Sequence, residues 1–410
     1  MREAASALIK HVQNNDDVLV LVDSDCDGFT SAAILINYLY NLFPSWVENK
    51  VHYILHSGKQ HGLNDHIQDI LEDNLYRLIL IPDAGTNDTD ACEKLNKLNT
   101  DIIIMDHHLK EQDNPYAIII NNQIQDYPNK ELSGAGVTWQ FCRYIDSILN
   151  VNYADKYLDL VALGLCADMM SMTSLETKHL VNKGFKNVTN PFFALLAQKN
   201  EFSMKGKINH TSVAFYIAPY INAICRSGTI EEKTLVFESM LYHKAFKELL
   251  STKRGHYLGE TERLVDQAIR AAINVKSRQT KAQDIGMERL EEKIENEHLL
   301  DHKVIFFKLE PGEIDRNIAG LCANKIMAKY QRPVMVLTRC ENEIVSMKNG
   351  FTIEAKTQVT YEGSARGCDK IDIDDFKAIC AETGLTNYLI GHPNAFGASI
   401  DTNKIQTFLL

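Results

Sequence analysis

The 410-residue sequence predicts an α/β protein, with a parallel sheet covered by helices and joined through one long helix to a smaller α/β lobe. Three observations lead there. Between Asp17 and about Ile120, short β-rich runs alternate with helix-like stretches, the pattern of a parallel sheet with crossover helices. Residues 247–297 contain no proline and are rich in Glu, Lys, Arg, Ala and Gln, the composition of a solvated helix. Beyond them a strand, helix, strand pattern begins again.

Taken in order, the predicted strands are Val18–Val22, Val51–Leu55, 78–81, 102–105 and 117–120. From Gly134 to about Phe246 the apolar spacing becomes mainly helical, as in Ala135-Gly136-Val137-Thr138-Trp139-Gln140-Phe141, and this region should cap the sheet. The last lobe should hold a strand at 304–307, a helix at 318–330, a strand at 334–337 after Pro333, and glycine turns at Gly363 and Gly391. The expected division is 1–246, a connector at 247–300, and 301–410.

Hydrophobic residues at 45% and charged residues at 24% exclude a disordered or fibrous chain. The longest apolar runs are strand-length, far short of the roughly 20 residues of a membrane helix, so no membrane association is expected. Met1-Arg2-Glu3-Ala4-Ala5 lacks the succession of a secretory signal, which points to the cytoplasm. Nine cysteines without a Cys-x-x-Cys pair read as reduced, buried thiols. A net charge of -11 excludes a surface coated in basic groups and leaves room for a local basic groove.

Chemistry concentrates where strands end. Asp23-Ser24-Asp25-Cys26-Asp27-Gly28 follows the first strand and opens a helix, placing three mutually repelling carboxylates in one turn, which a hard cation would neutralise. A calcium EF-hand shares this opening, but its twelfth position needs a bidentate Glu and here is Ile34. A helix-capping acidic turn is the remaining structural alternative for this motif alone. Two further strands end alike, in Pro82-Asp83-Ala84-Gly85 and Asp106-His107-His108. In an open parallel sheet these ends share one crevice. Asp168 follows the apolar run 158–165, where an unpaired carboxylate is costly to bury. Carboxylates with imidazole and no thiolate suit Mn²⁺ or Mg²⁺, and two such ions about 3.5–4 Å apart serve phosphodiester hydrolysis.

These motifs, in this order, resemble the DHH phosphoesterase superfamily, and within it the RecJ branch of single-strand-specific 5′ to 3′ exonucleases. The resemblance implies a DHH domain joined by the long helix to a DHH-associated domain. It also implies two divalent cations, Mn²⁺ or Mg²⁺, held or supported by Asp23, Asp25, Asp27, Asp83, Asp106, His107 and Asp168. Asp106, His107 and His108 would form the catalytic triplet, with His108 facing substrate or supporting the site.

Lys59-Gln60-His61-Gly62-Leu63, Ser133-Gly134-Ala135-Gly136-Val137 and the segment from Ala218 to Arg226 resemble further RecJ signatures, with Arg226 expected to bind phosphate. In the last lobe, Ile318-Ala319-Gly320, Gly363-Ser364-Ala365-Arg366 and Gly391-His392-Pro393-Asn394-Ala395-Phe396-Gly397 resemble the DHH-associated domain. There Ser364, Arg366, Gly391 and His392 are the expected substrate-binding residues. Ile390, Phe396 and Cys225 depart from the usual glycine, alanine and glycine.

The chain ends soon after Gly397, so the oligonucleotide-binding barrel of bacterial RecJ is expected to be missing. The implied substrate is single-stranded DNA or an oligonucleotide threaded between the lobes, and a single-strand-binding protein is the partner such an enzyme would meet. A phosphodiesterase of short oligonucleotides or cyclic dinucleotides, and a catalytically silent replication or repair scaffold, stand as alternatives.

Overall fold

The structure, a computed structural model, describes residues 1–409 except 59, 60, 74, 125, 256, 258, 349, 350, 369 and 371–373. It divides into two compact units, Met1–Lys276 and Ser277–Leu410. In the first, β1 (Val18–Val22), β2 (Val51–Leu55), β3 (Leu78–Pro82), β4 (Asp101–Asp106) and β5 (Ile118–Asn121) form one parallel sheet in the order β2-β1-β3-β4-β5. β1 and β3 are buried along their whole length, which is why they read as unbroken Val, Leu and Ile runs.

Successive residues face opposite layers. Val18, Val20, Val22, Leu78, Leu80, Ile103 and Met105 pack with the helices Cys26–Leu42, Gly134–Leu149 and Leu158–Ala167. Leu19, Leu21, Ile79, Ile81, Ile102 and Ile104 pack with the shorter helices Ile67–Asp73 and Thr89–Asn96. Helix Cys26–Leu42 is buried from Cys26 to Leu39, so the acidic turn opens a central helix of the unit. All nine cysteines are free thiols.

The composition of 247–297 predicted continuous helix, but the helix is Leu264–Asn296 and is preceded by a hairpin of Glu248–Leu250 with Thr261–Arg263. Gly255 and Gly259 both take positive φ in the loop between those strands, which is the turn signal that averaging over composition conceals. Among the described residues no helix is long and apolar enough to cross a membrane.

The second unit carries a five-stranded sheet in the order Thr386–His392, Ala395–Asp401, Phe351–Arg366, Val334–Lys348, Ile305–Leu309. All its pairings are antiparallel except the last, which is parallel. Helix Arg316–Tyr330 packs on one face through Ile318, Cys322 and Ile326. Gly363 and Gly391 lie inside strands rather than at turns. At Gly363 the reason is space, since a Cβ would stand 2.0 Å from the Val336 carbonyl oxygen of the neighbouring strand.

Candidate functional site

Strand order reverses between β1 and β3, which is where an open parallel sheet leaves a crevice at its carboxyl edge. Asp23 follows β1 and Asp83 follows β3, so these two flank that crevice, and Asp106 ends the adjacent β4. Asp25 is the N-cap of helix Cys26–Leu42 and accepts from Gly28 N at 2.9 Å. Asp27, in the first turn, accepts from Ser133 Oγ at 2.7 Å and Ala135 N at 3.3 Å. The Ser133–Val137 segment therefore braces a carboxylate from behind.

Possible ligand atoms fall into two triads, Asp23, Asp25 and Asp83 in one and Asp83, His107 and His108 in the other, each within 4.8 Å. Asp83 belongs to both. Asp168 joins the second triad's edge, with Oδ2 3.5 Å from His107 Nε2, while Asp83 Oδ1 stands 3.3 Å from the same nitrogen. Neither triad contains Asp27, Asp106 or Asp168 among the described residues.

Asp106 is satisfied differently. Its Oδ1 accepts from His107 N, His108 N and His108 Nδ1, and its Oδ2 from Thr86 N at 3.1 Å. Burial raises its carboxyl, but the His108 and Thr86 hydrogen bonds and the neighbouring imidazoles outweigh that and hold it below the usual range. It thus orients the Asp106-His107-His108 corner.

The other acids go the opposite way. Burial and then the charges of Asp27, Asp25, Asp23 and Asp168 drive the Asp83 carboxyl well above its ordinary value. Asp27 rises to about 6 and Asp168 to about 8, both led by burial. Burial and the charge of His108 lower His107 to about 4, leaving it neutral with a lone pair at pH 7. Asp27 Oδ2 and Asp83 Oδ1 are buried and receive no hydrogen bond from a described residue. Buried, crowded, unsatisfied carboxylate oxygens beside a neutral imidazole are the donor set that hard divalent cations satisfy.

Close packing holds the acids in place. A Cβ on Gly134 would stand 2.3 Å from Asp83 Oδ1, and one on Gly164 would stand 2.2 Å from Asp27 Oδ1. Asn222 Oδ1 accepts from Cys26 N at 3.0 Å, tying the Ala218–Ser227 helix to the acidic turn. Arg226 is in the last turn of that helix.

In the second unit, register places Arg366, Ala395 and His392 in one row across three strands, and Ser364, Gly397 and Ile390 in the next row on the same face. Gly320 of helix Arg316–Tyr330 covers that face, where a Cβ would meet Arg366 Nη2 at 2.6 Å and Ser364 Oγ at 3.2 Å. Gly391 has φ 127 between Ile390 and His392. The predicted substrate-binding residues of this lobe are thus neighbours.

The site holds one residue that sequence reasoning had not singled out. His61 Nδ1 is 3.0 Å from Asp23 Oδ2, and its ring meets His108 edge-on with centroids 4.8 Å apart. Its signal was the Lys59–Leu63 signature itself, of which Lys59 and Gln60 lie outside the described residues. Behind Asp23, the buried His56 places Nε2 3.8 Å from Asp23 Oδ1 and pairs its Nδ1 with His66 Nε2 at 3.0 Å.

A parallel sheet with acids and imidazoles converging at its switch point defines an α/β domain with a candidate cation site. Residues 17–165 match the DHH family, N-terminal domain, and the relatives and fold neighbours of the chain include RecJ proteins. It is 37% identical over 404 residues to YorK of Bacillus subtilis (strain 168), a proposed SPbeta prophage-derived single-strand DNA-specific exonuclease, covering 98% of this chain and 66% of YorK. It is 23% identical to the single-stranded-DNA-specific exonuclease RecJ of the same organism, covering 99% of this chain and 46% of that protein. The chain therefore spans just under two thirds of the first relative and less than half of the second. RecJ of Thermus thermophilus, solved in complex with Mn²⁺, shares the fold with a TM-score of 0.73 at 21% identity, over 99% of this chain and 53% of that one.

Proposed function

We infer that this chain is a Mn²⁺- or Mg²⁺-dependent phosphodiesterase that degrades single-stranded DNA from a 5′ end. The observation that carries the reading is the pair of ligand triads sharing Asp83. One cation would be held by Asp23, Asp25 and Asp83, the other by Asp83, His107 and His108, with Asp168 and Asp27 beside them. Bound there, a pair of divalent cations supplies water activation and offsets charge building up on the phosphate in in-line displacement. The chain's own groups do the rest. Asp106 fixes the rotamer of His108 through Nδ1, which leaves Nε2 as the edge available to a cation or substrate. Arg226 offers a planar fork for a backbone phosphate, and Ser364, Arg366 and His392 offer donors on one sheet face for another. None of these groups reads a base edge, which suits sequence-independent degradation. Support comes from the relatives named as single-strand DNA-specific exonucleases and from the Mn²⁺ complex of a fold neighbour.

The test is hydrolysis of a long single strand and a dinucleotide, each labelled at either end, with Mn²⁺ and with the Asp83→Asn protein as control. Mononucleotide release from the 5′ end of the long strand is expected. Cleavage without added metal, or full activity of Asp83→Asn, would refute the mechanism, and turnover of the dinucleotide alone would refute the substrate assignment.

A further inference from the structure

The described residues of the loop joining β2 to helix Ile67–Asp73 are restrained more heavily than a surface connection requires. On its near side stands Lys233 of helix Ile230–Ser239, 1% exposed. Its ammonium donates to the carbonyl oxygens of His56 at 2.7 Å, Ser57 at 2.9 Å and Gly58 at 3.5 Å. Burying an ammonium against neutral carbonyls, with no described carboxylate paired to it, is costly. Ser24 Oγ adds a bond to Gly58 O at 2.7 Å. On the far side Gly62 N donates to Asp23 Oδ1 at 3.3 Å, Leu63 N to Asp88 Oδ2 at 2.7 Å and Asn64 Nδ2 to Asp88 Oδ1 at 3.1 Å. Gly62 has φ 74, and a Cβ there would stand 2.2 Å from Asp88 Oδ2.

His61 lies between these anchors. With Nδ1 on Asp23, the opposite edge of its ring carries Nε2. Its side chain is 51% exposed, against 35% for His108 and 11% for His107, so it is the most accessible imidazole of the cluster.

Resting on the phosphodiesterase reading above, we propose that His61 is a further substrate-contacting residue, presenting Nε2 to the scissile phosphate, and that Lys233 is the buried residue that positions it. A hydrogen bond to a phosphate oxygen that strengthens as charge develops acts on kcat more than on KM. Lys233 acts only through the loop, so its loss and that of His61 are one defect.

The experiment compares the full-length wild type with His61→Ala, Lys233→Met, Gly62→Ala and the two double variants that include His61→Ala. Steady-state hydrolysis of labelled single-stranded DNA, Mn²⁺ affinity by calorimetry and thermal unfolding are read for each. His61→Ala is expected to lower kcat about 100-fold, with KM, Mn²⁺ affinity and melting temperature close to wild type. Lys233→Met should also lower kcat and add nothing to His61→Ala. Gly62→Ala swings the same loop and should behave likewise, which keeps the positioning claim testable if Lys233→Met does not fold. A His61→Ala protein within threefold of wild-type kcat overturns the proposal, as does Mn²⁺ affinity falling in step with kcat, which would make His61 a support for Asp23. Multiplicative losses in the double variants overturn the role of Lys233. A wild type inactive on every single strand with Mn²⁺ instead overturns the phosphodiesterase reading, a separable result.

Discussion

Asp83 follows β3 with φ 72, buried with Asp27, Asp25, Asp23 and Asp168 around it, and burial together with those charges holds its carboxyl well above the usual range. A carboxyl with a raised folded value binds more protons folded than unfolded, so its stability contribution is complete below about pH 4 and is lost as pH rises through the folded value. In the metal-free protein Asp27 and Asp168 act in the same direction, through about 6 and about 8. Asp83→Asn removes the proton uptake that Asp83 requires. The metal-free variant should therefore melt about 2–4 °C above wild type at pH 7.5 and level with it near pH 4, while Mn²⁺ raises its melting temperature far less than that of wild type. Differential scanning calorimetry with and without Mn²⁺ checks this, and a destabilised metal-free variant would contradict the crowding argument. Gly134→Ala tests the support from behind. The added methyl overlaps Asp83 Oδ1 at 2.3 Å, so the carboxylate must move. A stability loss of about 1–3 kcal/mol and a Mn²⁺ affinity reduced about tenfold or more are expected from denaturation and calorimetry.

Among the elements, the strands were legible and the hairpin was not. β1, β3 and β4 are apolar runs buried over almost their whole length, so burial and β-propensity point the same way there, and Val18–Val22 and the less buried Val51–Leu55 match residue for residue. Asp23, Asp83 and Asp106 were legible because each stands at the end of such a strand, and Asp168 because it closes the apolar helix Leu158–Ala167, whereas the His61 loop is fixed by Lys233, Asp23 and Asp88 from distant parts of the chain. Hairpin 248–263 is fixed instead by nearby side-chain contacts that composition does not reveal. Glu262 accepts from Arg270 Nη1 at 2.7 Å and from Thr252 N at 3.2 Å, with Lys253 Nζ at 3.3 Å. The Arg270 hydrogen bond, ahead of opposing burial, lowers its carboxyl to about 2. Because the folded value lies below the unfolded one, this clamp stabilises above about pH 4.5 and fades as pH falls toward 2. Glu262→Gln should cost about 1–3 kcal/mol locally at pH 7. The check is faster amide hydrogen exchange at 248–263, in a difference that shrinks toward pH 2.5. Exchange unchanged at pH 7 would mean the clamp does not hold the hairpin.

At the scale of the whole molecule, the proposed function requires a chain of net charge -11 to grip a polyanion through few cations. Binding to a single strand releases counterions in proportion to the phosphates neutralised, with a slope of log K against log salt of about -0.7 per contact. Arg226 and Arg366 are the guanidinium groups proposed to bind phosphate, so a shallow slope is expected. Fluorescence anisotropy across a salt series reads it directly, in an Asp83→Asn background where the strand stays intact. Arg226→Ala and Arg366→Ala should each reduce the slope for a twelve-nucleotide strand by about 0.7, whatever its sequence. A dinucleotide has a single internal phosphate, and its slope should respond to one substitution only. If the twelve-nucleotide slope ignores Arg366→Ala, the phosphate-binding role proposed for Arg366 is wrong.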